Sequence, residues 1–198
     1  MPSHSIARPE LTLPPAEAQA LRAAYTQASV ILEYGSGGST VLAAEMAGKT
    51  VFSVESDASW LEKMRAYFAA HPPAAKLHLH HGEIGPTKDW GHPRNDSSFR
   101  KWPDYPTKIW RTNGFVQPDL VLIDGRFREA CFLTTLFSIT APTRVLFDDY
   151  LDRPFYQSVE YFAAPSACFG RMAQFDLVPT PIPADKLGWI VQRFFQTS

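Results

Sequence analysis

The stretch Ile31-Leu32-Glu33-Tyr34-Gly35-Ser36-Gly37-Gly38-Ser39-Thr40 decides the fold. Val30, Ile31 and Leu32 form the short apolar run expected of a buried strand. The glycines then turn the chain sharply, and Ser39 can cap a helix through Val41, Leu42, Ala43, Ala44 and Met46. Strand, glycine turn and helix start together make a cradle in which backbone N–H groups face a ligand. Glu33, read as the end of the strand, would repel a pyrophosphate and attract a ligand carrying an ammonium or sulfonium group. A dinucleotide fingerprint, G-x-G-x-x-G, would also need a glycine where Thr40 stands.

Around this stretch the composition is that of one folded domain. The chain has 198 residues, 45% of them hydrophobic and 13% aromatic, which argues against disorder. A chain of this length buries roughly 70% of its unfolded surface. A net charge of −1 gives no general attraction to nucleic acid or anionic membranes, so neither is an expected partner. Cys131 and Cys168 are too few for a disulfide framework and fit no metal motif. No apolar signal core or membrane-length run is present, and a soluble cytoplasmic protein, with homo-oligomerisation open, is the expectation.

In chain order, residues 1–28 read as an arm followed by a helix that Pro14 and Pro15 open, with Leu21, Ala24 and Tyr25 at helical spacing. Thr50–Glu55 reads as a second strand and Lys76–His81 as a third. Between them lies a helix capped by Asp57 or Ser59 and stopped at His71-Pro72-Pro73. Pro118–Gly125 and Arg144–Phe147 supply two more buried strands, separated by a helix from about Arg126 to Phe137. A further helix near Tyr156–Ala163 precedes two strand-like runs, Phe169–Val178 and Trp189–Phe195, expected to form an antiparallel hairpin. Strands alternating with helices, each strand nearly continuously apolar, indicate an α/β fold with a doubly wound, mostly parallel sheet.

In such a sheet the ligand lies beyond the carboxyl ends of the strands. The predicted strands end in Glu33, Glu55, Glu83, Asp124 and the pair Asp148-Asp149, which gathers carboxylates on one rim. An acid in the place of Glu55, followed by Ser56, can accept both hydroxyls of a ribose, a role that suits nicotinamide and adenosylmethionine ligands alike. Asp124, Asp148 and Asp149 would repel one another unless a proton or a divalent cation intervened, and oxygen-only ligands suit Mg²⁺. The metal-free alternative makes Asp124 a helix cap, Asp148 a partner for an amide or ammonium group, and Asp149 a partner for Arg153.

The stretch Glu33-x-Gly35-Ser36-Gly37 resembles the first motif of the class I, Rossmann-like S-adenosylmethionine-dependent methyltransferases, with Ser39 where a third glycine is common. The resemblance covers about Val30 to Tyr150. It implies S-adenosylmethionine as cofactor, held by Glu33, Gly35, Ser36, Gly37, Ser39, Glu55, Ser56 and Asp124. Gly82-Glu83-Ile84 is similar to the stretch that runs along the adenine in that class, which implies the same of Glu83. Asp124 with Asp148-Asp149-Tyr150 resembles the metal-dependent small-molecule O-methyltransferases. This implies a Mg²⁺ site at Asp124, Asp148 and Asp149, and catalytic roles for Asp124 and Asp149. The implied activity is methyl transfer to an oxygen of a small molecule. The rivals are a methyltransferase-like binding protein without catalysis and a nicotinamide-dependent oxidoreductase.

Residues 84–117 are too long and irregular for an ordinary connection and read as a lid over the site. Basic residues outnumber acidic ones there, and Trp90, Trp102, Tyr105 and Trp110 are interleaved with them. Arg126 and Arg128 either clamp an anionic substrate or neutralise the acidic cluster. His78 and His80 fall on one face of a strand and His81 on the other, a structural arrangement rather than a metal site.

Overall fold

The computed structural model describes residues 7–197. Seven strands form one sheet: β1 (Val30–Tyr34), β2 (Thr50–Glu55), β3 (Lys76–His81), β4 (Leu120–Ile123), β5 (Thr143–Phe147), β6 (Ala167–Phe169) and β7 (Met172–Leu177). Their order is β3-β2-β1-β4-β5-β7-β6. The first five run parallel, and β7 lies antiparallel to both β5 and β6.

The helices are α1 (Pro15–Gln27), α2 (Gly38–Ala44), α3 (Ala58–Ala70), α4 (Asp104–Thr107), α5 (Arg128–Ser138) and α6 (Leu187–Arg193). Alternation along β1 sends Leu32 and Tyr34 into a core with Phe52, Val121, Ile123 and α5. Ile31 joins Val51, Leu122 and Leu146 against α1 and α2 on the other face. Both faces are therefore covered, which is why the central strands carry continuous apolar runs. Leu21, Ala24 and Tyr25 are the buried stripe of α1, as their spacing predicts.

Two sequence expectations change. The run Phe169–Val178 is broken by a turn at Gly170-Arg171, where Gly170 takes φ +55°, so the hairpin is β6–β7. Trp189–Phe195 lies in α6 and the residues after it, not in a strand. Leu187, Ile190, Val191 and Phe194 recur at helical spacing, and Ile190 is buried. A short apolar run of this kind satisfies both periodicities, and packing on the core decides it. The arm expected at the N-terminus begins in residues outside those described; no helix among the described residues is long and apolar enough to cross a membrane.

Candidate functional site

The strand order reverses between β1 and β4, and a cavity of about 770 Å³ opens beyond their carboxyl ends, within the ordinary range for small-molecule sites. The two loops that leave these strands touch. Gly35 has φ +104°, and a Cβ on it would lie 2.9 Å from the Gly125 nitrogen. Only glycine meets both demands.

The peptide of Ser36 is held from two sides. Its N–H donates to Glu55 Oε2 at 3.1 Å, and its carbonyl accepts from Trp60 Nε1 at 2.8 Å. Glu55 also accepts from the Asp57 N–H at 2.8 Å and the Ser56 hydroxyl at 3.3 Å. Burial raises the Glu55 carboxyl pKa, and these donors work against the rise. Gly37 donates to the Thr40 hydroxyl at 3.0 Å, so Thr40 closes the turn where a dinucleotide fold would carry glycine. A Cβ on Gly37 would meet nothing within 4 Å. Ser36, Ser39 and Ser56 line the cavity with Gly35, Gly37 and Glu55. Ser39 does so from the first turn of α2, not as its cap.

Two predicted ligand carboxylates lie elsewhere. β1 extends one residue further than expected, so Glu33 is inside the ladder opposite Ser53 and Leu122. Its side chain points to the α1 face, where it accepts from the Tyr25 hydroxyl at 2.5 Å. It is fully buried and does not line the cavity. Its supposed repulsion of pyrophosphate therefore falls away. Glu83 stands in the exposed chain beyond β3, paired with Lys101 and likewise outside the cavity.

Burial raises the Glu33 pKa in the folded protein only. Stability from this group is then lost as pH rises through the raised value. Glu33→Gln keeps an acceptor for Tyr25 without the charge. Its melting temperature should fall less than that of wild type as pH rises above the ordinary carboxylate range. Equal falls in the two proteins would overturn that account.

Asp124, Asp148 and Asp149 do converge, but arginines occupy the position expected for a cation. Arg171 binds Asp148 through Nε at 3.2 Å and Nη2 at 2.9 Å, and Asp149 through Nε at 2.9 Å. Arg128 Nη2 lies 3.2 Å from Asp124 and 3.1 Å from Asp149. Arg153 reaches Asp149 at 3.2 Å. Three guanidiniums thus face three carboxylates, and a Mg²⁺ ion would have to displace or adjoin them. Among the described residues no group of His, Cys, Asp and Glu has a metal-holding arrangement. The Mg²⁺ expectation at Asp124, Asp148 and Asp149 is corrected accordingly: these residues do not fit the ion. Asp149, expected to be catalytic, spends its oxygens on three arginines.

Asp124 keeps 35% of its side chain open to the cavity. Desolvation pushes its carboxyl up to about 7, with Arg128 opposing and Asp148 and Asp149 adding to the rise. Nothing in the sequence marks Arg171, because only the insertion of β7 beside β5 brings the hairpin turn to this rim. Glu17, buried in α1, accepts from the Arg171 N–H at 2.8 Å and anchors that turn.

The segment 84–117 folds over the site in short helical turns. Trp102 and Trp110 pack on the core, whereas Trp90 is 84% exposed at φ +62° on the cavity rim. The carbonyl of Gly91 accepts from Ser56 at 3.0 Å, which ties this lid to the end of β2. Pro9–Leu13 crosses Gly38, where any Cβ would collide with Glu10 at 2.2 Å. Residues of the 84–117 segment, the glycine turn and Pro9–Leu13 therefore line one cavity.

No protein-family model and no curated protein matches the chain. Among solved structures it is similar to a methyltransferase-like protein from Silicibacter pomeroyi, with 53% identity over 96% of this chain and 98% of that one and a TM-score of 0.91. The O-methyltransferase TomG from Streptomyces achromogenes, solved with S-adenosylmethionine, shares the fold at 17% identity over 86% and 82% of the two chains, TM-score 0.57. An O-methyltransferase from Bacillus cereus, solved with S-adenosylhomocysteine, does so at 16% identity over 83% and 82%, TM-score 0.55.

Proposed function

The chain belongs to the class I methyltransferase-like family, and on that premise we propose that it transfers the methyl group of S-adenosylmethionine to an oxygen of a small molecule. The observation that carries the reading is the Ser36 peptide clamped by Glu55 and Trp60 beside an open Gly37. It sits at the switch point of a sheet whose β7 runs antiparallel between β5 and β6. The cavity accommodates an adenosyl amino acid, with Glu55 and Ser56 for the ribose and the Gly35–Ser39 turn for the rest. Oxygen as acceptor is supported by what the distant structural neighbours are called.

Bound S-adenosylmethionine supplies a methyl group already activated by its sulfonium. The chain's share is to align donor with acceptor, exclude water and take the proton that an acceptor hydroxyl loses. Asp124 fits the last task because its carboxyl, at about 7, gains and releases a proton near neutrality. Asp149, held by Arg128, Arg153 and Arg171, keeps those guanidiniums in place.

Calorimetry with S-adenosylmethionine, S-adenosylhomocysteine and NAD(H) tests the cofactor. Binding of NAD(H) alone would reject the reading, and formation of S-adenosylhomocysteine on hydroxylated rather than amino acceptors tests the oxygen target. A pH signature should accompany it. A sulfonium beside Asp124 favours the ionised carboxylate, whereas neutral S-adenosylhomocysteine does not. The preference for S-adenosylmethionine over S-adenosylhomocysteine should therefore rise as pH increases through about 7. Asp124→Asn should flatten that rise; an unchanged slope would remove Asp124 from the sulfonium's surroundings.

A further inference from the structure

Arg126, on the loop between β4 and α5, and Arg128, the first residue of α5, stand two residues apart, yet their surroundings differ. Arg128 gives its N–H groups to the carbonyls of Gly125, Asp124 and Asp148 and pairs with Asp124 and Asp149. It neutralises the acidic cluster. Arg126 is also buried, at 6% exposure, and it lines the cavity. It forms no ion pair among the described residues, and its buried Nε has no hydrogen-bond partner. Among the described residues its guanidinium makes side-chain hydrogen-bond contact with His92 of the 84–117 segment alone, with Nη1 2.6 Å from His92 Nε2.

His92 cannot supply the missing negative charge. Burial and the neighbouring Arg126 depress its pKa, so it is a neutral acceptor. The remaining neighbours add no negative charge: Arg128 and Arg153 are cations, and the Tyr105 hydroxyl only accepts from the Arg126 backbone N–H at 3.3 Å. A desolvated guanidinium without a counter-charge is costly unless a ligand supplies one. The three aspartates are already paired with Arg128, Arg153 and Arg171, and Arg126 is the lining guanidinium without a carboxylate partner among the described residues.

We propose that Arg126, supported by His92 of the lid, binds an anionic group of the methyl acceptor, so that the substrate is a hydroxylated organic carboxylate or phosphate. The acceptor assignment rests on the methyltransferase reading; the anion site does not. A planar guanidinium fork favours such groups over a single ammonium point charge. Arg126 lies on the same loop as Asp124, so the acceptor's anion and its hydroxyl would be read by one short segment. His92 makes the site dependent on the lid. The anion would then be gripped only when residues 84–117 lie over the cavity.

Inorganic phosphate is the probe, titrated into cofactor-free and S-adenosylhomocysteine-loaded protein at constant ionic strength with melting temperature as readout. A saturable rise is expected in both, weakened about tenfold or more in Arg126→Gln and partly retained in Arg126→Lys. Arg126→Gln removes an uncompensated charge, so it should fold at least as stably as wild type. No saturable response in wild type, or the same response in Arg126→Gln, overturns the site. A second arm separates the acceptor from the cofactor's own carboxylate. The affinity ratio of S-adenosylhomocysteine to 5′-methylthioadenosine, which lacks the carboxylate, should be the same in wild type and Arg126→Gln. Collapse of that ratio would assign Arg126 to the cofactor and reject the acceptor role. If S-adenosylhomocysteine fails to bind wild type while phosphate still binds through Arg126, the methyltransferase reading fails, and with it the acceptor assignment, but the anion site stands.

Discussion

Gly37→Val is expected to weaken S-adenosylhomocysteine binding about a hundredfold or more, roughly 3 kcal/mol, while the protein stays folded. The expectation separates two glycines that look alike in the motif. At Gly37 φ is 178°, an extended backbone open to any residue, and an added Cβ meets nothing within 4 Å. That open space is the cavity wall beside Ser36, so a valine there fills volume the ligand needs. Gly35 differs: φ is +104°, and a Cβ would press on the Gly125 nitrogen at 2.9 Å and the Asp124 carbonyl carbon at 3.1 Å. Gly35→Val should therefore lose stability, by about 3 kcal/mol or more from left-handed strain plus the clash. Calorimetry and thermal melts on the two variants give the check. Normal affinity in Gly37→Val would show that the turn does not cradle the cofactor.

The same contrast indicates what the sequence can and cannot reveal here. The apolar runs of β1, β2 and β4 and the intervening glycine turn carry the fold, because strands buried on both faces leave little freedom in composition. Glu55 is legible because it ends β2 at the cavity, where both the strand boundary and the direction of the side chain follow from the pattern. Glu33 is not, since one more residue of strand turns it onto the face beneath α1, and Tyr25 is its partner only in three dimensions. Glu83 is not legible for another reason: it stands exposed beyond β3, paired with Lys101 and outside the cavity lining. The aspartates do meet, and two of their counter-ions, Arg128 and Arg153, stand close enough in sequence to be read there, whereas the third, Arg171, comes from the β6–β7 turn. The proximity of Arg171 depends on the inserted antiparallel strand, and nothing local in the sequence marks it.

Arg171→Leu should be the most destabilising substitution at the rim, costing about 3–5 kcal/mol, the usual range when one partner of a buried ion pair is removed. Asp148 is only 1% exposed and takes two N–H donors from Arg171, so the variant leaves a buried carboxylate with its main counter-charge gone. For a chain of this size that corresponds to a fall in melting temperature of roughly 10 °C. The double variant Arg171→Leu/Asp148→Asn removes the orphaned charge and should recover a good part of the loss. A wild type stabilised by guanidinium groups should not respond to Mg²⁺ beyond its response to equal ionic strength. Arg171→Leu, by contrast, frees acidic oxygens and should gain a measurable Mg²⁺ response. This last difference separates the two accounts of the acidic cluster. If wild type is raised by Mg²⁺ and Arg171→Leu is not, the aspartates form a metal site that depends on the arginine for its shape, and the substitution of cation by guanidinium is wrong.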